Sequence, residues 1–334
     1  DREGSGRSAR PGTGSEGARK RAEQRAQRIA AGATELEQRL ADLLRGGLAG
    51  ADQAGYAAWD EMAARMVDAQ APGLASRIRE LGTVPSSGRG WPERLLSECA
   101  LLHLLDQGFL GLEVLPEPLA ATVRARVGLT VDTAELLADE ASRIRDHWLV
   151  LAQRDGEEGR LTVRRIWLWG RDSGRPALLL SFGAGGRAPE LALPVGASVE
   201  ADLAFYPGAS PLRAALGERH GVPEAGWVPP GGTVEDALAA YGAALCEDPW
   251  LDGWPAVLRD VVPVPPAEQD AGSDWQVADA EQDAALPVTS GTDSTALWKL
   301  LAISGGGPLT VFGECGHRGF APYATWNGTD MVPL

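Results

Sequence analysis

Three cysteines and four histidines are all the soft-metal ligands and soft nucleophiles in this chain of 334 residues. Cys99 and His103 lie four apart on an expected helix, which places both on one face. Such a pair offers two ligands to zinc. A closed tetrahedral site needs four, and no second pair has a claim. Set among Leu95, Leu96, Leu102 and Leu105, the two read instead as a core thiol and a core histidine. Cys315-Gly-His317 lies at the end of an expected strand entering a turn, a place where zinc knuckles hold ligands. It has no Cys-x-Cys or Cys-x-x-Cys partner, and Cys246 is the only other thiol in the second half. Cys315 and His317 are therefore weak metal candidates. His147 and His220 have no Ser or Cys nucleophile beside them, and Gly-x-Ser-x-Gly is absent.

The remaining constellations are weaker. Asp60-Glu61, Glu157-Glu158 and Glu247-Asp248 are adjacent acids of the kind that solvated turns and helix faces carry. Gly183-Ala184-Gly185-Gly186 and Gly305-Gly306-Gly307 lack the Lys-Ser/Thr that grips phosphate and magnesium, and read as turns between strands. Trp250 and Trp254, in DPWLDGWP at 248–255, stand beside acids and could stack a sugar or a peptide proline. Closing a small core is the competing reading of the two rings. No catalytic residue, no cofactor site and no complete metal site emerges, and the chain is expected not to be an enzyme.

The elements that would position these residues are legible from periodicity. Residues 1–16, made of Gly, Ser, Arg and Pro, are expected to be disordered. Ile29, Leu36 and Leu43, interleaved with Ala33 and Leu40, form an a/d seam that Gly46-Gly47 ends. A second helix carries Tyr56, Trp59, Met62, Met66 and Val67 and breaks at Pro72-Gly73; Leu74, Ile78 and Leu81 resume the period. A third opens at Trp91-Pro92 and is apolar on more than one side, as a central helix would be. Shorter helices are expected at 117–127 and 132–143, the latter opened by Asp132 and Glu135 in a capping-box-like pattern.

Past residue 146 the texture turns to strands at 147–154, 160–170, 176–182 and 198–206. Asp155-Gly156 and Asp172-Ser173-Gly174 supply the turns. A Pro/Gly-rich linker at 222–232 leads to a helix at 233–247 with Thr233 as N-cap. Strands follow near 256–264, 274–279, 296–303 and 308–315, then a hairpin over 320–333. The fold class is α+β: an N-terminal helical bundle (17–145), then a β-rich antiparallel region (146–221) and a helix-plus-antiparallel β module (222–334). No alternating βαβ series suggests a nucleotide-binding sheet.

Composition sets the surroundings. The formal net charge of −15 opposes wholesale binding to nucleic acid or an anionic membrane. Residues 1–30 are the exception, with eight Arg/Lys against four Asp/Glu; this is a basic arm, or simply a solvated tail entering a charged helix. Lys20 and Lys299 are the only lysines, so arginine carries nearly all positive charge, a bias typical of GC-rich bacterial genomes. Scattered cysteines, no signal-peptide pattern and no long apolar run point to a reducing, cytoplasmic location.

Several phrases together resemble one family. They are 55–75 (GYAAWDEMAARMVDAQAPGLA), 91–105 (WPERLLSECALLHLL), 115–128 (LPEPLAATVRARVG), 147–155 (HWLVLAQRD) and 166–180 (IWLWGRDSGRPALLL), with 204–213 (AFYPGASPLR) and 248–255. They resemble bacterial, actinobacterial-type SWIM zinc-finger proteins, over about 17–334. The family is named for a Cys-x-Cys…Cys-x-His finger; no Cys-x-Cys occurs here, so the resemblance is to the region downstream of the finger and transfers no ligand. It implies zinc only with that upstream finger. It further implies an interaction or scaffold role, with a MoxR-type AAA+ ATPase or a von Willebrand A-domain protein as partner. Nucleic-acid binding through the finger is the alternative.

Overall fold

The computed structural model describes residues 13–48, 55–159, 161–267, 274–281 and 284–334. The chain divides after Thr130 into two compact units. Of the tail expected over 1–16, the first twelve residues lie outside the described residues, and helix takes in the last four.

The first unit holds α1 (Thr13–Gly46), α2 (Gly55–Asp68), α3 (Pro72–Leu81), α4 (Trp91–Leu110) and α5 (Glu117–Val127). The α1 seam packs as its spacing predicts: Ile29, Ala33, Leu36 and Leu40 are buried. From α2, Trp59 and Met66 enter the core while Tyr56 and Val67 stay exposed, so the expected stripe divides between core and surface. The chain leaves α2 through Gln70 in the left-handed region (φ 63°), and Pro72 at the first turn of α3 fits the missing donor there. Gly73 lets α3 meet the end of α5: a Cβ there would stand 2.0 Å from the Arg126 carbonyl oxygen.

The second unit opens with α6 (Thr133–Ala138), shorter than the expected 132–143. The Asp132 carboxylate accepts from the N–H groups of Ala134 and Glu135 at 2.8 and 3.2 Å. Leu136 packs on Ala204 and Ala215, so residues 131–145 join the β-rich region and not the bundle.

Strands β1 (Arg143–Glu158), β2 (Leu161–Gly170), β3 (Pro176–Ala184), β4 (Ala197–Phe205) and β5 (Arg213–Ala225) close a barrel in the order β1-β2-β3-β5-β4. β4 returns antiparallel to β1, and β3 runs parallel to β5. This is a five-stranded Greek-key barrel of the OB type. Strand β5 takes in the start of the segment expected as a linker at 222–232. Asp155-Gly156 is not a turn; both residues pair across the ladder with Arg164 and Val163, and Gly159 (φ 63°) lies at the strand's end.

After α7 (Val234–Glu247) comes a six-stranded sheet. Its strands are β6 (Gly253–Val264), β7 (Gln276–Asp279), β8 (Ala285–Pro287), β9 (Leu309–Gly316), β10 (Gly319–Asn327) and β11 (Asp330–Pro333), in the order β11-β10-β9-β6-β7-β8. Residues 296–303, expected as a strand, form helix α8 (Ser294–Ser304). Asp293 caps it, and Ala296, Leu297 and Leu300 recur at helical spacing on its buried side. Gly305-Gly306-Gly307 is accordingly its C-terminal stop and not an interstrand turn.

The unit is built in three layers. Trp148, Val150, Ile166, Leu168 and Leu179 fill the barrel. The alternate residues Leu149, Leu151 and Trp167 point outward and pack on Val257, Phe312, Ala324 and Trp326 of the sheet. The sheet's other face, with Leu258, Val261, Val311 and Cys315, packs on Val234 and Tyr241 of α7 and on Leu297 and Leu300 of α8. Strands buried on both faces explain the unbroken apolar run Trp148–Ala152. They also explain why segments 146–221 and 222–334, anticipated as separate domains, share one core.

Candidate functional site

The structure separates the residue pairs picked out by spacing. Cys99 is buried, and burial with the nearby Glu98 charge pushes its thiol up to about 11. His103 is exposed, not a core histidine, and its Nδ1 lies 2.6 Å from Glu37 Oε2 on α1. A thiol buried on one side and an imidazole in solvent do not form a half-site.

Cys315 lies in the apolar layer between the sheet and α7, and burial raises its thiol above the ordinary range. His317 is exposed in the following turn. Its Nδ1 is 3.4 Å from the Tyr241 hydroxyl, and its Nε2 accepts from Arg318 Nε at 3.3 Å. Zinc needs a thiolate and a free imidazole nitrogen on one point; a thiol sealed among apolar side chains suits neither requirement. Cys246 is exposed on α7. Trp250 is 4% exposed, and Trp254 packs half-buried against the sheet–helix core. Neither presents an open ring face for a sugar.

Two further groupings, not foreseen as sites, bring a histidine and two acids together: Asp146 with His147 and Asp172, and Asp202 with Glu218 and His220. In each the central carboxylate is engaged by protein donors, Asp146 with all four of its lone-pair positions and Asp202 with one bond on each oxygen. Asp146 accepts from the N–H groups of His147 (2.7 Å), Asp172 (3.0 Å) and Ser173 (2.9 Å), and from the Ser173 hydroxyl (2.6 Å). It ties the β2–β3 hairpin Asp172-Ser173-Gly174 to the start of β1. Asp202 accepts two bonds from Arg145, at 2.8 and 3.2 Å, which hold it below the usual carboxylate range. His220 Nε2 stands 3.3 Å from Asp202 Oδ2 and has no well-aligned hydrogen-bond partner.

The outer face of β1 and β2 is closed by the sheet. Trp167 Nε1 donates to Glu314 Oε1 at 3.0 Å and the Tyr323 hydroxyl donates to Glu314 Oε2 at 2.8 Å. This polar staple is set within the apolar contact between barrel and sheet.

Two surface features stand out among the described residues. Along α4, Leu96, Leu104 and Leu110 are 49%, 46% and 43% exposed, and Val114 just beyond the helix is 85% exposed. The helix expected to be central thus leaves three leucines exposed among polar neighbours such as His103 and Gln107. At the end of the barrel where β1 begins and the β2–β3 hairpin turns, three guanidiniums lie over aromatic rings. They are Arg171 on Trp227 (4.1 Å), Arg175 on Phe205 (4.2 Å) and Arg213 on Tyr206 (4.5 Å). Sequence reasoning missed both features, since neither is contiguous in the chain. Among the described residues no helix is long and apolar enough to cross a membrane.

Residues 24–127 match the family model of the SWIM-associated four-helix bundle domain, SWIM_C. The match spans α2 to α5 and most of α1, and it supports the resemblance to the region of SWIM-family proteins downstream of the zinc finger. Neither the curated proteins nor the solved structures contain a match.

Proposed function

We propose that this chain, which carries the SWIM-associated four-helix bundle domain, is a non-catalytic module that docks a protein partner through α4. The observation that carries the proposal is the outward row Leu96, Leu104, Leu110 and Val114. Single exposed leucines are ordinary on any surface. Three exposed leucines on one helix, with Val114 just beyond its end and the polar His103 and Gln107 between them, exceed that scatter, and exposed apolar side chains gathered on one helix suit a partner's groove. The partner class comes from the family resemblance: a MoxR-type AAA+ ATPase or a von Willebrand A-domain protein, in the cytoplasm. Zinc enters this reading only through a finger upstream of the chain. Co-purification of the full chain with those two proteins from one bacterial host, beside a Leu96→Glu/Leu104→Glu variant, tests it. Retention by the wild type and loss in the variant is the expected result.

A second reading, nucleic-acid binding, draws on Arg171, Arg175 and Arg213. Guanidiniums stacked on rings keep their N–H edges and outer faces free for phosphates and bases. It requires an affinity for single-stranded DNA or RNA that falls steeply with salt and falls again in the triple alanine variant. The net charge of −15 weighs against it.

A further inference from the structure

Asp106 occupies the buried phase of α4 with Cys99, Leu102 and Phe109, and none of its surface is exposed. Neither of its carboxylate oxygens meets a protein donor, and neither does Oε1 of Glu37. Asp106 and Glu37 are nonetheless within hydrogen-bonding reach of each other. Two carboxylates are both acceptors, so these facts agree only when one of them carries a proton. The fully buried partner is the one that cannot bear charge, so the proton belongs on Asp106, and Oε1 is the Glu37 oxygen left free to accept it. The other Glu37 oxygen, Oε2, lies 2.6 Å from His103 Nδ1 and accepts from Gln107 Nε2 at 3.0 Å. His103 is 58% exposed and reaches water.

Glu37 therefore joins a sealed carboxyl on one side to a solvated imidazole on the other, using opposite oxygens. The groups run in a line. Their ligand atoms do not converge as those of the two barrel clusters do, so the arrangement suits a proton and not a metal ion. We propose that Asp106, Glu37 and His103 form a proton-binding line across the α1–α4 contact, which makes the cohesion of the bundle depend on pH.

The charges around the line leave Glu37 in control. On α3, Arg79 pairs with Asp60 and Glu80 accepts from Ser76. On α5, Arg124 pairs with Glu117. Arg77 and Arg126 each have a partner, and the turn Val84–Ser86 carries no charge. On α4 itself, Glu98 acts on Cys99. Burial first, then the Glu37 charge and hydrogen bond, push the Asp106 carboxyl from 3.8 up to about 8.

The fold keeps a proton that the unfolded chain releases above the ordinary carboxylate range. The stability it holds is complete below that range, declines as pH rises through it towards about 8, and then levels off. Over that window each pH unit multiplies the opening of the α1–α4 contact by about ten.

Hydrogen exchange of the full chain, followed by mass spectrometry from pH 5 to pH 9 and corrected for intrinsic rates, reads this opening directly. Protection of α1 and α4 peptides is expected to fall about tenfold per pH unit up to about pH 8. In Asp106→Asn, whose amide still donates to Glu37, the slope disappears. Equal slopes in the two proteins overturn the proposal. Carbon-13 NMR of aspartate carboxyls in the wild type decides independently of any variant's folding: titration near pH 8 supports the line, and titration of every aspartate below pH 5 overturns it.

Discussion

Asp146 shows how one side chain sets the geometry of a barrel end. Its burial alone would lift the carboxyl, but the Ser173 hydroxyl and the N–H groups of Asp172, Ser173 and His147 outweigh that and hold it below the ordinary range. A depressed carboxylate stabilises the fold above its ordinary pKa and loses that contribution as pH falls through its folded value. Asp146→Ala should cost about 2–3 kcal/mol at neutral pH, read as a shift in urea midpoint, and the deficit should shrink in acid. Glu314→Ala should cost a similar amount, about 2–3 kcal/mol, because the Trp167 indole and the Tyr323 hydroxyl lose their acceptor between two layers. Single residues were the least legible level of the sequence. Cys99 and His103 share helical spacing, yet a small difference in phase puts one in the core and the other in water. Asp106 gave a signal that could have been caught: a carboxylate in phase with Cys99, Leu102 and Phe109 must find a partner, although nothing local names Glu37.

Elements were read more successfully where local chemistry decides them. The α1 seam, the Pro at the start of α4 and Thr233 as the N-cap of α7 follow from spacing and caps. The errors fall where tertiary context wins. Asp155-Gly156 has turn chemistry but is carried through β1 by eight other ladder pairs with β2, and 296–303 has strand-like composition but is capped by Asp293 and buried at helical spacing. At this scale Gly73 is the sharpest test. Any side chain there drives into the Arg126 carbonyl, so Gly73→Ala should destabilise the bundle by about 2–3 kcal/mol, measured by thermal or urea unfolding. Gly46→Ala, which meets nothing within 4 Å, is the neutral control.

At the scale of the whole chain, composition correctly anticipated a helical part followed by a β-rich part. It could not reveal that the latter is one body. Closure of β4 on β1 and the parallel β3–β5 pair are long-range events that no window of sequence contains, and the doubly buried strands β1 and β2 read the same whether a sheet or a ligand covers them. The barrel's β1–β2 outer face is taken up by the sheet, and the proposed docking rests on the exposed leucines of α4. The most direct test is a binding comparison between the wild type and Leu96→Glu/Leu104→Glu, both exposed positions where stability should change by less than about 1 kcal/mol. The purified chain is offered a MoxR-type ATPase and a von Willebrand A-domain protein from one host. Saturable binding by the wild type, weakened at least about tenfold in an equally stable variant, is the predicted result; no binding by the wild type, or equal binding by both, would contradict the account.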